Sequence, residues 1–415
     1  MMIMTVVEAL QRKVLRVLVA TQVLGSAGTT IGLAVSTLVA ASLAGSDAIG
    51  GLAQTSAVLG AALFALPVAR LAGRRGRRPA LVLGYGAGAV GAAVAACAVV
   101  LGAWPLLLVA LVLFGAASSA NLASRYAGTD LAHPHRRARS LALVVWAATI
   151  GAVAGPNLAD PAGRAATGAG LPVGAGPYLL SAALFAATAL VVLRFLRPDP
   201  LVVARSAAPT PPPERRGVGA ARGSVALWRS LSPTAKLALG GVALSHTAMV
   251  GLMSMTPVHM DHAGSSLRVV GVVISLHVAA MYAASPLFGW MADRVGRVPV
   301  LAVGAALVVA ASAIVGMAPA HDTPQLAVGL VLLSFGWSAG VVSGSALLTE
   351  SVAPVDRTAA QGLSDLCMNA GGAIGGVAAG IVVTVWSYGA LGLVLGVAAL
   401  PLLAACLHSS LQRVR

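Results

Sequence analysis

The amino-acid sequence predicts an all-α membrane protein with twelve transmembrane helices in two six-helix repeats. Three observations predict this fold class: the composition, the number of long apolar segments, and a similarity between the two halves of the chain. Of the 415 residues, 58% are hydrophobic and only 9% are charged, whereas an ordinary soluble domain has about 25% charged residues. A water-soluble fold is therefore excluded.

Twelve apolar segments are long enough to cross a membrane as helices. A spanning helix needs about 20 apolar residues, because the hydrocarbon layer is about 30 Å thick and a helix rises about 1.5 Å per residue. The predicted spans cover residues 17–43, 50–69, 79–101, 105–127, 140–159, 177–196, 234–258, 267–291, 299–318, 325–348, 359–384 and 389–408. The first span is too long for a signal-peptide core, so we expect it to be retained.

The basic residues lie in alternate connections between these spans. Lys and Arg number 27 against 12 Asp and Glu, which gives a net charge of +15, and we interpret this excess by its position along the chain. The basic connections contain Arg12, Lys13 and Arg16; Arg74, Arg75, Arg77 and Arg78; Arg136, Arg137 and Arg139; Arg194 through Arg229; Arg294 and Arg297; Arg357; and Arg413 and Arg415. The opposite connections contain Arg164 and Arg268. We call the side with the basic connections the basic side.

The positive-inside rule assigns the basic side to the cytoplasm. Both termini then face the cytoplasm, in agreement with an even number of spans. We expect a multi-pass protein of the cell membrane, surrounded by the lipid bilayer and present as a monomer. The charge excess needs no nucleic-acid partner.

The second half of the chain repeats the first half at a constant offset. Arg70 to Gly84, RLAGRRGRRPALVLG, aligns without gaps with Trp290 to Gly304, WMADRVGRVPVLAVG, 220 positions later. The same offset pairs Thr129 with Thr349, Asp130 with Glu350, Pro134 with Pro354, Arg137 with Arg357, Gly151 with Gly371 and Gly155 with Gly375. Two copies of a six-helix unit are therefore predicted, residues 1–197 and 233–415, joined by a cytoplasmic linker at 198–232 that is rich in Pro, Arg and Ser.

The most specific motif is the loop after the eighth span. Gly289 to Arg297, GWMADRVGR, resembles the loop signature G-x-L-a-D-R-x-G-R of the major facilitator superfamily, a family of membrane transporters. The resemblance implies the twelve-helix fold of that family and a cytoplasmic gate formed at this loop by Gly289, Asp293, Arg294, Gly296 and Arg297. An Asp at such a turn can face the positive N-terminus of a neighbouring helix while Arg residues bind carbonyls or carboxylates. Plain topogenic charge is the alternative interpretation.

The first copy of this loop departs from the family pattern at one position. It keeps Arg74, Gly76 and Arg77, which we include in the predicted gate, but has Gly73 where the family usually has Asp. We therefore expect the gate contact in the first copy to be weaker or to be made differently.

A second resemblance lies in the fifth span. Gly151, Gly155 and Pro156, in the sequence GAVAGP, resemble the G-x-x-x-G-P element of the superfamily's antiporters. The sequence departs from that element immediately afterwards, with Asn157 and Leu158. Helix packing is an adequate alternative, because two Gly four residues apart let helices touch and Pro bends a span.

Enzymatic motifs are not supported by their context. Gly336 to Gly340, GWSAG, matches the G-x-S-x-G of hydrolases, but that motif requires a strand-turn-helix and this segment lies within an apolar helix. The sequence contains no Walker motif, so ATP does not drive the protein through a P-loop. We predict a secondary transporter that is not an enzyme and has no cofactor.

Methionine and histidine concentrate in the seventh and eighth spans. His246, Met249 and Met253 are spaced i, i+3 and i+7, which places them on one helix face. His277 and Met281 are four residues apart and likewise share a face. Thioether sulfur and neutral imidazole are soft to borderline ligands, and without Cys or a carboxylate they suit Cu(I) better than Mg, Ca or Mn.

The spacing of these residues also carries a resemblance. M-x-x-x-M at Met249 and Met253, with H-x-x-x-M at His277 and Met281, resembles the signature of the CcoA-type bacterial copper importers within the superfamily. The resemblance implies that these four residues bind Cu(I) as the transported substrate, and His246 is a further candidate ligand.

The outer end of the seventh span is a candidate entry for the ion, at Met255, His259 and Met260. Two alternatives stay open. Methionine at helical spacing often only fills gaps in a core. The same fold also serves efflux of drugs or other small organic solutes, which the Gly-Pro element and the many small residues favour.

Overall fold

The computed structural model describes residues 2–207, 224–261, 263–264 and 267–412. Residues 208–223 of the predicted linker and the basic residues Arg413 and Arg415 lie outside this part of the chain. The described helices are Met2–Ala44 (α1), Asp47–Arg75 (α2), Arg77–Val100 (α3), Trp104–Ala127 (α4), Arg137–Gly168 (α5), Ala175–Phe195 (α6), Pro200–Ser206 (α7), Ser224–Ser230 (α8), Pro233–Asp261 (α9), Leu267–Ala283 (α10), Ser285–Val295 (α11), Arg297–Gly316 (α12), Thr323–Ser351 (α13), Arg357–Val385 (α14) and Tyr388–Gln412 (α15). A single 3-10 turn, Pro134–Arg136, leads into α5.

Twelve segments of the described chain are long and apolar enough to span a membrane. The sixth span combines α6 with α7, and the eighth combines α10 with α11. The predicted fold class is therefore confirmed. Several spans are longer than predicted: the first covers Val7–Ala44 and the fifth covers Pro134–Gly168. Apolar length reports only the part of a helix inside the hydrocarbon layer, whereas backbone hydrogen bonding continues into the polar turns beyond it.

Two glycines with positive φ separate consecutive spans on the basic side. Gly76, at φ 100°, lies between α2 and α3, and Gly296, at φ 109°, lies at the repeated position between α11 and α12. Residues with a Cβ rarely adopt this backbone conformation. A Cβ at Gly76 would also meet the carboxylate of Asp199. Both copies of the loop motif therefore need Gly at this position for the turn itself.

The eighth span is interrupted between α10 and α11. Pro286 lies in the first turn of α11, and because it has no N–H it cannot continue the hydrogen-bond pattern of the preceding helix. Ser285 beside it forms a hydrogen bond of 2.9 Å between its hydroxyl and that of Ser338 in α13. The break is therefore tied to a neighbouring helix by a polar contact.

The chain forms two compact units, which do not coincide with the sequence repeats. Unit 1 contains Met1–His133, Ala147–Ser224 and Val355–Leu366, and unit 2 contains Pro134–Trp146, Val225–Pro354 and Cys367–Arg415. Each unit thus includes one short segment from the other repeat: the start of α14 belongs to unit 1 and the start of α5 to unit 2. The repeat boundaries at 1–197 and 233–415 describe the sequence and stay a prediction.

Close helix packing in each unit uses small residues at equivalent repeat positions. In unit 1, a Cβ on Gly84 of α3 would meet Ala120 of α4. In unit 2, a Cβ on Gly304 of α12 would meet the backbone of Gly340 in α13. Without a hydrophobic driving force between helices in lipid, such close approach is what allows dispersion contacts to hold them together.

Candidate functional site

In unit 2, the carboxylate of Asp293 binds the start of α5. One carboxylate oxygen accepts a hydrogen bond from the backbone N–H of Ala138 (3.1 Å) and the other accepts one from the N–H of Arg139 (3.0 Å). The first N–H groups of a helix lack intrahelical acceptors and carry partial positive charge, so a carboxylate there satisfies both the hydrogen bonds and the dipole. Asp293 caps a helix that is distant in sequence, and its role as a gate stays a prediction.

Arg297 connects three elements around the same carboxylate. Its Nη2 donates to Asp293 Oδ1 (3.1 Å) and to the carbonyl of Pro134 (2.8 Å), and it pairs with Glu350 of α13 (2.8 Å). Charge-assisted bonds of this kind are roughly twice as strong as neutral ones. Arg297 therefore links α12, α13 and the turn before α5.

The other residues of this loop have simpler surroundings. Gly289 packs directly on α5, because a Cβ there would meet Ala142 and the carbonyl of Ala138. Arg294 is exposed and its guanidinium lies 5.3 Å from the centre of the Trp290 ring. The contact of Gly289 explains why this position of the motif is small.

The first copy of the motif makes the same Arg–carboxylate pair in unit 1. Arg77 Nε lies 2.8 Å and Nη2 lies 3.0 Å from the two carboxylate oxygens of Asp130. Arg77 corresponds to Arg297 in the repeat, and Asp130 corresponds to Glu350. Arg77 Nη2 also donates to Gln361 Oε1 at the start of α14 (2.7 Å). Arg74 is exposed.

The two copies differ at Gly73, the position equivalent to Asp293. Gly73 lies near the start of α14, since a Cβ on it would be 2.8 Å from Thr358 Oγ1. Because Gly has no side chain, position 73 supplies no carboxylate to this helix start. The carbonyl of Gly73 instead accepts a hydrogen bond from Arg205 (2.8 Å). Asp199 accepts hydrogen bonds from the N–H groups of Arg78 (2.7 Å) and Leu201 (3.0 Å). Asp199, from a different part of the chain, therefore binds N–H groups in the first turns of α3 and α7 and not the start of α14.

A buried ion pair lies close to this loop in unit 1. Arg125 Nη2 of α4 is 2.8 Å from Asp365 Oδ1 of α14, and the two side chains are 2% and 4% exposed. Arg125 also donates to the hydroxyl of Tyr126 (3.2 Å) and to the carbonyl of Leu122 (3.1 Å). An ionised pair inside a transmembrane segment is costly and commonly functional.

His277 is the most informative residue of the Met and His cluster in unit 2. Its imidazole is fully buried, and Nδ1 lies 2.9 Å from the carbonyl oxygen of Leu330 and 2.7 Å from Ser334 Oγ. Because a carbonyl oxygen only accepts, the contact with Leu330 favours the neutral tautomer in which Nδ1 carries the proton and Nε2 does not. Nε2 is buried and has no hydrogen-bond partner among the described residues.

The methionines predicted to bind the substrate differ in burial. Met249 and Met281 are buried, and Met253 is half-buried. The described residues contain no group of three His, Cys, Asp or Glu side chains that could hold a metal ion. A metal at this position would therefore need thioether sulfur among its ligands.

His246 has an aromatic environment. Its Nδ1 accepts a hydrogen bond from the indole N–H of Trp337 (3.0 Å). Trp337 also packs edge-to-face on Tyr282, with ring centres 5.5 Å apart. A Cβ on Gly372 of α14 would lie 2.9 Å from the imidazole. Sequence analysis missed Trp337 and Tyr282, although a Trp among the small residues of α13 was a usable signal.

At the candidate outer entry, the predicted ligand side chains are buried or already in contact with other residues. The ring of His259 stacks on Tyr388 at 4.1 Å between centres, and its Nε2 lies 3.3 Å from the carbonyl of Ala318. Met260 is fully buried and Met255 is half-buried. His259 thus has structural contacts, and its role as an entry ligand stays a prediction.

The Gly-Pro element of the fifth span packs on α1 in unit 1. A Cβ on Gly151 would meet Ser26 and backbone atoms of α1, and one on Gly155 would meet Thr30. Pro156 lies on the exposed side within α5. Both hydroxyls also bond across this contact: Thr30 donates to the carbonyl of Gly151 (3.1 Å) and Ser26 donates to the carbonyl of Ala148 (3.3 Å). These contacts give the motif a packing role.

These features together describe a multi-pass helical membrane protein with repeated loop motifs and polar residues inside its spans. The chain belongs to the Major Facilitator Superfamily, whose family model matches residues 17–268 and 238–411. It is a membrane transporter of this type and not an enzyme. Ser338 of the hydrolase-like GWSAG is buried in the middle of α13, where its hydroxyl bonds to Ser285.

Known proteins similar to this chain are also transporters. An uncharacterized MFS-type transporter of Bacillus subtilis, YddS, is 37% identical over 91% of this chain and 86% of its own length. The riboflavin transporter RfnT of Brucella anthropi is 28% identical over 88% of this chain and 87% of its own length. The crystal structure of the human organic anion transporter MFSD10 superposes with a TM-score of 0.75 at 20% identity, and covers 95% of this chain and 99% of that protein. This last likeness shows the fold.

Proposed function

We propose that the protein imports Cu(I) across the cell membrane, with both termini in the cytoplasm. In this proposal, residues 1–197 and 233–415 form two bundles that open in turn to either side of the membrane. The observation that carries the proposal is that His277 Nε2 is buried and has no hydrogen-bond partner among the described residues. The proposal takes four residues as the binding set for the transported ion: Met249, Met253, His277 and Met281.

The contacts of His277 support a ligand role. A metal-binding imidazole commonly donates its other N–H to a backbone carbonyl, which fixes the tautomer and the ring orientation. The bond from Nδ1 to the carbonyl of Leu330 has this form. Ser334 Oγ lies close to the same nitrogen and to the carbonyls of His277 and Leu330, so the ring is held from more than one direction.

The spacing of His277 and Met281 also supports the proposal. Met281 follows His277 by four residues in α10, so the two side chains share a helix face about 6 Å apart along the axis. Met side chains have three rotatable bonds and adapt to irregular sites. Two thioethers and a neutral imidazole form a soft ligand set, which favours Cu(I) over oxygen-preferring cations.

The test is uptake of radiolabelled copper by cells that contain or lack the protein. Met249→Leu and Met281→Leu each remove a sulfur while nearly conserving volume, so stability should change by less than about 1.5 kcal/mol. We expect each to reduce uptake at least about tenfold, the effect of losing about 1.4 kcal/mol of binding. Met368→Leu is the matched control, because Met368 is also buried in unit 2 but lies outside the predicted set; it should retain uptake. Unchanged uptake and copper-limited growth in the double variant Met249→Leu, His277→Phe would refute the copper assignment.

A second candidate function is export of a small organic solute. The observation that favours it is the group formed by His246, Trp337 and Tyr282, since aromatic faces and edges bind planar rings. The similarity to a riboflavin transporter supports an organic solute as well. Replacing Trp337 by Leu should then abolish efflux or resistance, whereas Met249→Leu should have no effect. The two candidates therefore predict opposite results for Met249→Leu.

A further inference from the structure

We propose that the basic end of the seventh span carries a binding site for an anionic phospholipid. The site is formed in unit 2 by Trp228, Arg229 and Lys236. Its occupant is a phospholipid whose headgroup has a net negative charge and which remains part of the bilayer. This inference goes beyond solute transport and does not depend on which solute the protein carries.

Helix α8 and the residue after it have one buried and one exposed side. Leu227 and Leu231 are 4% and 7% exposed, so they attach this short segment to unit 2. Val225 and Trp228 are 66% and 43% exposed, and their spacing of three residues puts them on one helix face. The segment therefore has an exposed apolar face with an indole ring, just before the start of α9.

The turn into the seventh span brings Lys236 back to this ring. Ser232 lies between α8 and α9. Its hydroxyl accepts a hydrogen bond from the N–H of Ala235 (3.2 Å), and its carbonyl accepts one from the N–H of Lys236 (3.0 Å). The Lys236 ammonium lies over the Trp228 ring, 5.6 Å from its centre. A cation within about 6 Å of an indole face is attracted to it, so the two side chains form one unit.

The polar groups of these three residues are available to donate to a ligand. In the part of the chain that the structure describes, no oxygen accepts a hydrogen bond from the Lys236 ammonium, the Arg229 guanidinium or the Trp228 indole N–H. All three groups donate and none of them accepts. Phosphate oxygens only accept, and they bind ammonium and guanidinium groups through charge-assisted bonds. The donor set therefore suits a phosphodiester.

The local charge favours an anionic headgroup over a neutral one. Between residues 224 and 260 the sequence contains Arg229 and Lys236 and no Asp or Glu. A phosphatidylglycerol headgroup has the negative charge of its phosphodiester alone, whereas phosphatidylcholine also has a positive choline group. Two cations without a local carboxylate attract the first and repel the choline of the second. The site should therefore prefer phosphatidylglycerol.

The depth of the site identifies a membrane lipid, and not dissolved phosphate, as the ligand. The seventh span begins at Pro233, so Lys236 lies about 5 Å along the helix axis from the start of the span. Trp is enriched at this level of a membrane, and the long stem of Lys lets its ammonium reach the headgroups. The basic side is assigned to the cytoplasmic leaflet, where anionic lipids are found. The exposed Val225 and Trp228 also suit the apolar part of a lipid, which inorganic phosphate lacks.

The experiment measures quenching of Trp228 fluorescence by brominated lipids in vesicles that contain the purified full-length protein. The chain has six Trp, so each variant is compared with the same protein carrying Trp228→Phe, and the difference is the emission of Trp228. The vesicles contain equal amounts of phosphatidylglycerol and phosphatidylcholine, with bromine on the acyl chains of one or the other. We expect brominated phosphatidylglycerol to quench Trp228 more strongly in the wild type. The preference should be at least about fivefold, the contribution of one positive charge at an anionic membrane surface.

The variants separate this site from general surface charge. Lys236→Gln should lower the preference about fivefold, and Lys236→Arg should keep it because the charge remains. Arg136→Gln is the matched control, because Arg136 is also an exposed cation on the basic side of unit 2 but lies at the turn before α5; it should leave the preference unchanged.

Three outcomes would overturn the proposal. Equal quenching by the two lipids in the wild type would mean that Trp228 only contacts the bilayer and selects no headgroup. Equal losses in Lys236→Gln and Arg136→Gln would assign the preference to the net charge of the basic side. A wild-type preference that excess inorganic phosphate abolishes at constant ionic strength would identify dissolved phosphate as the ligand.

Discussion

The two copies of the loop motif, after α2 and after α11, share Arg, Gly and Arg at equivalent positions but act on their surroundings differently. Both use an Arg–carboxylate pair, Arg77 with Asp130 and Arg297 with Glu350. The second copy adds, within the motif itself, a carboxylate, Asp293, that caps the start of α5. The first copy has Gly73 at the position equivalent to Asp293. The helix start close to Gly73 is that of α14, which contains Thr358.

The comparison separates what the motif needs from what it adds. The Arg–carboxylate pair and the glycine with positive φ occur in both copies, so they belong to the turn that connects two spans. The cap by a motif carboxylate occurs only in the second copy, so the turn does not require it. It adds to the attachment of a neighbouring helix, α5. We therefore expect the start of α5 to be held more firmly than the start of α14, which is the segment that carries Asp365.

The largest expected effect is that of Asp293→Ala. It leaves two N–H groups at the start of α5 without an acceptor and Arg297 without one of its partners, so we expect a loss of roughly 3 kcal/mol in the free energy of unfolding. Thermal unfolding of the purified protein in detergent, followed by size-exclusion chromatography, measures this loss. An unchanged melting temperature would mean that the cap has no energetic role.

The second effect compares the paired glycines of the two repeats. Gly151→Ala should destabilise by about 2 kcal/mol, because its Cβ would meet backbone atoms of α1, which cannot move independently. Gly371→Ala should cost less than about 1 kcal/mol, because its Cβ would first meet the side-chain hydroxyl of Thr247, which can rotate away. Equal melting temperatures for the two variants would contradict this ranking.

The third prediction converts the first copy into the second. In the repeat Gly73 corresponds to Asp293 and Thr358 to Ala138, so Gly73→Asp with Thr358→Ala recreates the second pair. We expect a gain of up to about 1 kcal/mol from capping the start of α14, together with slower transport. Melting temperature and solute uptake rate are measured on the same preparation, with Thr358→Ala alone as the control. Faster transport would show that this helix start does not restrain the cycle.

The smallest effect is expected at the exposed pair of Arg164 and Asp160 in α5. These side chains are 68% and 75% exposed, so water screens their attraction, and Asp160→Asn should change stability by less than about 0.5 kcal/mol. This variant therefore calibrates the other three. A change as large as that of Asp293→Ala would show that the assay reports surface charge and not helix attachment.

The sequence predicted much of the fold because membrane insertion imposes strong local rules. Twelve apolar segments, the alternating basic connections and the 220-residue offset each follow from a local or periodic property of the chain. The helix ends were less predictable, as the spans of α1 and α5 show. Hydropathy detects the hydrocarbon layer and not the hydrogen bonds that extend a helix beyond it.

The candidate sites were predicted only in part. Residue type and spacing identified His277 and Met281 as a pair on one helix face. Spacing along one helix did not indicate that Leu330 and Ser334 orient the His277 ring. It also gave no sign of the partner of Arg125, which lies 240 positions away.

The sequence by itself determined that this chain is a doubled helical bundle of the membrane, because apolar length and charge asymmetry act residue by residue against a uniform solvent. Tertiary structure alone decided which carboxylate meets which arginine, which helix start Asp293 caps, and which nitrogen of His277 is left without a partner. Those outcomes depend on helices distant in sequence approaching within hydrogen-bond distance, and directional bonds of about 3 Å cannot be read from a periodic pattern.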